Sequence, residues 1–369
     1  MFGYTLFIIT IVNAFVSCNA NFEPLFEKWA TQFHINFRDV EHRGRILNNW
    51  VGNHKFIETE NNKNNTYTLG HNQFSGMNSD EFSEYLTLFE NNHIHVNPAD
   101  TKKKVDEAKC WISCVEHRND VSKLDTVKCV TSCLDTHVLS TTTPTSIDWV
   151  SNGAVTPVKN QGQCGSCWSF STTGALEGAY FIKYGQLVSF SEQQLVDCDT
   201  RTNGGKDMGC NGGLMDNAFS WIEKNGGLCS ESDYPYNSGT TKKSGSCDTS
   251  CQVDTKSDVS SFVDVTSNSD STMMDALAQQ PVSVAIQADQ QSFQLYKSGV
   301  FTGACGTGLD HGVLLVGYGT MDGSDYYRIK NSWGTTWGDD GFIYIGRGSQ
   351  FNDGKGQCGV LMQGSYPVL

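Results

Sequence analysis

Two different spacings of apolar residues divide the chain. Near the start they recur three and four apart: Phe22, Leu25, Phe26 and Trp29 form one stripe, and Ile46, Trp50, Asn53 and Ile57 a second. That period predicts amphipathic helices. Tyr67-Thr68-Leu69-Gly70 reads as a short strand and Asp80 to Leu86 as a further helix. Later, the apolar-rich run Ser169 to Glu177 predicts a buried helix beginning near Cys167. Ser191-Glu192-Gln193-Gln194 predicts a capping box at the head of another helix, and Met215 to Ile222 predicts one more. After Pro281 the pattern becomes strand-like. Val282–Ile286, Gly312–Tyr318, Tyr326–Lys330 and Gly341–Ile345 are short apolar or aromatic runs punctuated by Gly and Asp. A helical half followed by a β half implies an α+β fold in two lobes with a cleft between them.

Composition narrows the picture. At 38% apolar and 18% charged the chain can build a packed core, and a net charge of −14 argues against a nucleic-acid or anionic-membrane partner held by a basic surface. Leu6 to Val16 is apolar but too short to span a bilayer. Small residues follow at Ser17-Cys18-Asn19-Ala20, so residues 1–20 read as a signal peptide, although no Lys or Arg precedes the apolar run. No later run of about 18 apolar residues predicts a membrane span. Fourteen cysteines point to an oxidising compartment, hence the secretory pathway. Asn64-Asn65-Thr66 is a glycosylation sequon, with Asn64 the acceptor.

Residues 21–90 form a small helical unit, and residues 91–143 a polar linker containing Cys110-x3-Cys114 and Cys129-x3-Cys133. Cysteines four apart share one helix face. Two such helices folded back on each other would pair Cys110 with Cys133 and Cys114 with Cys129, a disulfide-stapled hairpin over 110–133. The hairpin reads as a stabilised spacer, as a defence-type hairpin peptide (it resembles the alpha-hairpinins of plants in spacing), or as a four-Cys zinc site. Leu139 to Pro144 is a joint open to proteolysis. The remaining unit is 144–369.

The candidate chemistry centres on Gln161-Gly162-Gln163-Cys164-Gly165-Ser166-Cys167-Trp168. A cysteine in the first turn of a helix gains thiolate character from the helix dipole and free N–H groups, and the thiolate is the nucleophile. The alternatives for this Cys-x-x-Cys are a redox disulfide or half of a zinc site; no second close pair follows to complete the latter. Eight of the nine histidines lie at or before His137, which leaves His311 alone after Pro144 as general base, 144 residues beyond Cys167. The same stretch holds nine cysteines, an odd number that leaves one thiol free.

These residues resemble the papain family of cysteine proteases, whose signature includes Cys-Gly-Ser-Cys-Trp. Asp148-Trp149 with Gly153 to Gly162, Cys210-Asn211-Gly212-Gly213-Leu214-Met215, Asp233-Tyr234-Pro235-Tyr236, Asp310-His311 and Lys330-Asn331-Ser332-Trp333-Gly334 match in order, and the likeness is greatest to the cathepsin L branch. Upstream, Trp50-x2-Asn53-x3-Ile57-x3-Asn61 and Gly70-x-Asn72-x-Phe74 resemble that branch's inhibitory propeptide. Arg45 stands one residue too far from Trp50, and Gly76 stands where an Asp is usual.

The resemblance implies a papain-like α+β fold, with a helical lobe, a β-barrel-like lobe and the active site between them. It implies a cysteine endopeptidase made as a zymogen, with protein and peptide substrates and its own propeptide as partners, as a monomer in lysosome, vacuole or outside the cell, and with no cofactor or metal. Cys167 would be the nucleophile and His311 the base, resting as a thiolate–imidazolium pair with the Cys pKa at roughly 3–4. Asn331 would orient His311, Trp333 would shield that bond, and Gln161 with the Cys167 N–H would form the oxyanion hole. Gly213 would pair with substrate backbone. Leu214, Met215, Ala285, Leu309, Gly312 and Gln363 would line a mostly apolar pocket for the P2 side chain. Family disulfides carry over as Cys164–Cys210, Cys305–Cys358 and Cys198 with Cys247 or Cys251, Cys229 taking the other; the assignment taken is Cys198–Cys247 and Cys229–Cys251. The exopeptidase branch's histidine-bearing loop has no counterpart. Rival readings are a catalytically silent binding or storage protein and an inhibitor acting in trans. The histidines before the joint predict a pro-segment that responds as pH falls through ~6.5.

Overall fold

The computed structural model describes residues 22–86 and 143–369. The expected signal peptide and the hairpin with Cys110–Cys133 and Cys114–Cys129 lie outside the described residues.

The first segment folds as α1 (Glu23–Gln32), α2 (Val40–Asn61), β1 (Tyr67–Leu69) and α3 (Ser79–Tyr85). Phe26, Trp29, Ala30, Ile46, Leu47, Trp50 and Val51 form a core belonging to this segment alone. Leu25 does not join it and is half exposed. The stripe therefore runs through Phe26, Trp29 and Ala30, one position round from the expected line. Asp39 caps α2 by accepting the His42 N–H at 2.7 Å, and Arg43 clamps Glu23 and Glu27 of α1. A reciprocal capping box, Asn78 with Glu81, starts α3.

The larger segment begins with β2 (Ile147–Asp148) and three helices, α4 (Cys167–Tyr184), α5 (Glu192–Cys198) and α6 (Met215–Asn225). Gly185 ends α4 in the left-handed conformation, φ 70°. Ser191 caps α5 by accepting the Gln194 N–H at 2.9 Å, but the box does not close. The Gln194 side chain instead accepts the Cys229 N–H at 2.8 Å, and the Ser191 N–H goes to the Cys229 carbonyl. A long-range strand-like contact has taken the groups that the local motif would have used.

The sheet contains β3 (Ser261–Asp264), β4 (Val282–Ile286), β5 (Tyr296–Phe301), β6 (His311–Met321), β7 (Ser324–Lys330), β8 (Phe342–Gly346) and β9 (Gly364–Val368). Its order is β1-β5-β8-β7-β6-β4-β9-β3, with β2 pairing β6. Only the β5–β8 pairing is parallel. The barrel-like lobe expected from the sequence is thus one open path, whose end strands β1 and β3 do not pair with each other. Strand β6 is apolar without alternation because both of its faces are covered. Leu314 and Val316 enter the core shared with α4–α6, while Val313 and Leu315 enter the core containing Phe293, Trp333, Trp337 and Ile343.

Four disulfides tie the loops: Cys164–Cys210, Cys198–Cys247, Cys229–Cys251 and Cys305–Cys358. Among the described residues Cys167 is the free cysteine.

Candidate active site

Cys167 is the first residue of α4, and Ser166 stands at its N-cap without capping it through a side chain. The sulfur faces the backbone N–H groups of Gly312, Trp168 and Cys167 itself. Gly312 follows His311 at the start of β6, so the chain brings the two expected partners together from a helix end and a strand start. Strand register does the rest: Ile286 opposes His311 and Ala285 opposes Gly312.

His311 Nε2 lies 2.8 Å from Asn331 Oδ1. That oxygen also accepts the Ser332 N–H at 2.8 Å, which fixes it as the amide's acceptor end. Nε2 must therefore carry the ring proton, and Nδ1 is left as a basic nitrogen with no protein partner. The Trp333 ring stacks on His311 with centroids 4.6 Å apart. Both His311 and Cys167 are wholly buried.

Gln161 is held on every side. Its N–H donates to the Ser332 carbonyl at 2.8 Å, its Oε1 accepts the Ser332 hydroxyl at 2.7 Å, and its Nε2 donates to the Cys164 carbonyl at 3.0 Å. One amide N–H remains uncommitted. Behind the site, Lys159 bonds Glu177 at 2.9 Å and Glu192 at 2.6 Å, and Lys330 donates to Thr156 at 2.8 Å, so charge is balanced across the joint between helices and sheet.

The expected substrate residues collect next to Cys167. A Cβ added to Gly312 would lie 3.3 Å from Met215 Sδ and from Trp168 Cα, and one on Gly213 would collide with the Trp168 ring. Met215 and Ala285 are buried in the same core as Cys167, with Leu309 packed against it. Leu214 is half-buried at the head of α6, and Gln363 is an exposed residue whose carbonyl accepts the Ala285 N–H at 3.2 Å. Asn64 sits apart, exposed in the loop before β1.

The first segment covers the site. Strand β1 pairs antiparallel with β5 and extends the sheet of the larger segment. Phe74, Phe82 and Tyr85 pack edgewise or tilted around Trp333 at 5.3, 5.6 and 6.2 Å. Gln73 donates to the Trp333 carbonyl at 2.7 Å and accepts the Thr336 hydroxyl at 2.9 Å. The Tyr85 phenol is buried near Cys167 and Tyr236.

This cover works against charge at the site. Burial pushes the Cys167 thiol up to about 12, against the pull of the Gly312 and Trp168 N–H groups. Burial likewise drives His311 down to about 4, against the help of Asn331. In this closed form burial therefore opposes charge on both partners, the two changes that a thiolate–imidazolium pair requires.

The cover has its own titratable link. His54 Nδ1 and His71 Nε2 are 2.9 Å apart, and Trp50 stacks against both rings at 4.9 and 4.4 Å. Burial first, then the nearby His54, lower His71 to about 4. Its Nδ1 has no partner, and His71 lines a cavity of about 230 Å³ with Tyr296, Lys297 and Thr336.

Several site residues carried no role in the sequence. Ser332 and Tyr236 lay inside recognised motifs but make their bonds only through the fold. Phe82 and Tyr85 lay on the short helix expected over Asp80 to Leu86, and Gln73 inside the Gly70-x-Asn72-x-Phe74 motif, without a role being read for any of them.

Residues 143–368 match the profile of the Papain family cysteine protease, and residues 26–82 that of the Cathepsin propeptide inhibitor domain. Thiol protease SEN102 of Hemerocallis is 42% identical over 346 residues, covering 93% of this chain and 85% of that protein. Senescence-specific cysteine protease SAG39 of rice (Oryza sativa subsp. japonica) is 39% identical over 343 residues, covering 93% and 89%. Among solved structures, the proform of the ragweed pollen allergen Amb a 11, a cysteine protease, aligns with a TM-score of 0.71 at 33% identity over 94% of both chains. The recombinant stem bromelain precursor aligns at 0.74 and 34% identity, over 95% of this chain and 99% of that one. With a site covered by its own leading segment, the chain belongs to the papain family of cysteine proteases and is folded here as the zymogen.

Proposed function

We propose that this zymogen matures to a monomeric endopeptidase of the secretory pathway and an acidic vacuolar, lysosomal or extracellular compartment. In this reading residues 1–20 are its signal, 21–90 its inhibitory propeptide, 91–143 the linker that is cut, and 144–369 the enzyme. The exposed Asn64 would carry its glycan. Once the cover leaves, Cys167 and His311 regain water and exchange a proton through Nδ1. The sulfur attacks the scissile carbonyl, and the oxyanion takes hydrogen bonds from the Cys167 N–H and the free Gln161 amide N–H. His311 then protonates the leaving amine, and water releases the acyl group from sulfur. Asn331 keeps the ring in the tautomer this requires, and Trp333 keeps water from their bond.

The observation that carries this reading is the His311–Asn331 pair with a bare Nδ1, together with a helix-end thiol that faces the N–H of Gly312, the residue after His311. Intact Gln161, His311 and Asn331 weigh against a silent storage protein. The pocket of Met215, Ala285 and Gly312 is apolar, so a peptide library should show Leu, Val or Phe preferred at P2, each buried CH₂ being worth about 0.8 kcal/mol. A preference for charged P2 residues would refute the pocket assignment. The exposed Gln363 would grade polar P2 residues without abolishing the apolar preference.

The pro-segment should let go as pH falls. His71 is held neutral in the docked fold, with a pKa of about 4 against the ordinary 6.5. The released state therefore binds more protons between those values, and the docked state loses stability as pH drops from about 6.5 to about 4. Glu58 lies 3.4 Å from His54 Nε2. Charge on His71 would have to be held in this buried site, in a cavity that Lys297 also lines. His71→Gln should shift autoactivation to lower pH, read as loss of full-length zymogen against pH; an unchanged midpoint would remove His71 from the trigger.

A further inference from the structure

One phenol touches both sides of the stretch assigned to the oxyanion. The Tyr236 hydroxyl donates to the Gln161 backbone carbonyl at 2.8 Å and lies 2.7 Å from the Ser166 hydroxyl. Ser166 is wholly buried and is the residue immediately before Cys167. Since Tyr236 gives its proton to Gln161, Ser166 must donate to Tyr236.

We propose that Tyr236 is a positioning residue of the oxyanion hole, fixing the distance between the Gln161 amide and the Cys167 N–H through Gln161 and Ser166. The inference rests on the reading of those two groups as oxyanion donors. The Gln161 N–H, Oε1 and Nε2 are anchored by Ser332 and Cys164, and its carbonyl is anchored by Tyr236. Without that last anchor, Asn160 to Gln163 would turn about the remaining three bonds. Tyr236 is itself well fixed. Its N–H donates to Glu231 at 2.8 Å, its ring packs edge-on to Phe170 at 4.9 Å, and nearby Gly239 accepts the Gln163 N–H at 3.0 Å. A Cβ on Gly162 would meet the Gly239 backbone at 2.6 Å, so the two loops are in close contact. Burial raises the phenol's pKa, which keeps it a neutral donor throughout the working range.

The test separates oxyanion stabilisation from thiol reactivity in the mature enzyme. A peptide aldehyde adds Cys167 to its carbonyl and forms a thiohemiacetal oxygen lying in the hole. Iodoacetamide loses iodide from a saturated carbon to the same sulfur and builds no oxyanion. Tyr236→Phe keeps the ring and removes the hydroxyl. It should lower aldehyde affinity and kcat together by about tenfold, the size of one net hydrogen bond. KM and the rate and pH profile of alkylation should stay at the wild-type values. Ser166→Ala should show the same split. Equal losses in aldehyde affinity and alkylation, or no loss in either, would overturn the assignment of Tyr236. Gln161→Ala is the control for the underlying reading: if it leaves aldehyde affinity unchanged, the hole has been placed wrongly and the proposal falls with it.

Discussion

Cys167→Ala is expected to lower peptide cleavage by roughly 10⁵–10⁶-fold, the loss seen when a catalytic nucleophile is removed from a preorganised site. Among the described residues no second free thiol exists to replace it. The other cysteines of the enzyme segment are held in disulfides. The substitution removes one buried sulfur beside Gly312 and Trp168, so the melting temperature should change little while the zymogen stays at full length under acid conditions. Substantial residual cleavage by a folded variant would overturn the nucleophile assignment. The closed structure adds a second readout. Its thiol is raised to about 12, so the uncleaved wild-type zymogen should resist alkylation at neutral pH. The matured enzyme, with water restored, should react quickly. A zymogen that alkylates as fast as the mature enzyme would mean that the cover does not control the charge of the pair.

That contrast marks the limit of what the chain reveals before it folds. Helices and strands were legible where a face is buried along its whole length. The Val282–Ile286 strand is read to the residue, because all five of its positions are buried. β3, β5 and β9 were not: Ser261–Asp264 has no fully buried position, Tyr296–Phe301 and Gly364–Val368 mix exposed or small residues with buried ones, and all three take their pairing from distant strands. At the site, Cys167, His311, Asn331 and Gln161 stand in short motifs. Ser332 and Tyr236 act on Gln161 from 171 and 75 residues away, and no local pattern encodes such a bond. The opposition of burial to charge on Cys167 and His311 was the least legible feature of all. It depends on water being excluded by residues far upstream, whereas the helix-end argument considers only local donors.

Phe82→Ala should loosen the cover without unfolding it. Phe82 has no exposed surface and packs between Phe74 at 5.5 Å and Trp333 at 5.6 Å. It belongs to the core of the larger segment's sheet, together with Phe293, Trp337 and Ile343, and not to the separate core of α1 and α2. Its burial is therefore interfacial, and truncation costs about 3–5 kcal/mol of docking rather than of pro-segment stability. That corresponds to roughly two to three and a half orders of magnitude in the open fraction. The measurement is the alkylation rate of the intact zymogen at neutral pH, which in the opening-limited regime follows that fraction. Trp50→Ala is the counterpart: Trp50 supports Phe26 and Trp29 and carries the His54–His71 stack, so its loss should unfold the pro-segment itself. Both variants expose the thiol, but only Trp50→Ala should also make residues 22–61 sensitive to added protease. If Phe82→Ala left the labelling rate at the wild-type value, the aromatic wedge on Trp333 would not be what holds the enzyme shut. The β1–β5 pairing and the Gln73 bonds would then carry the latency.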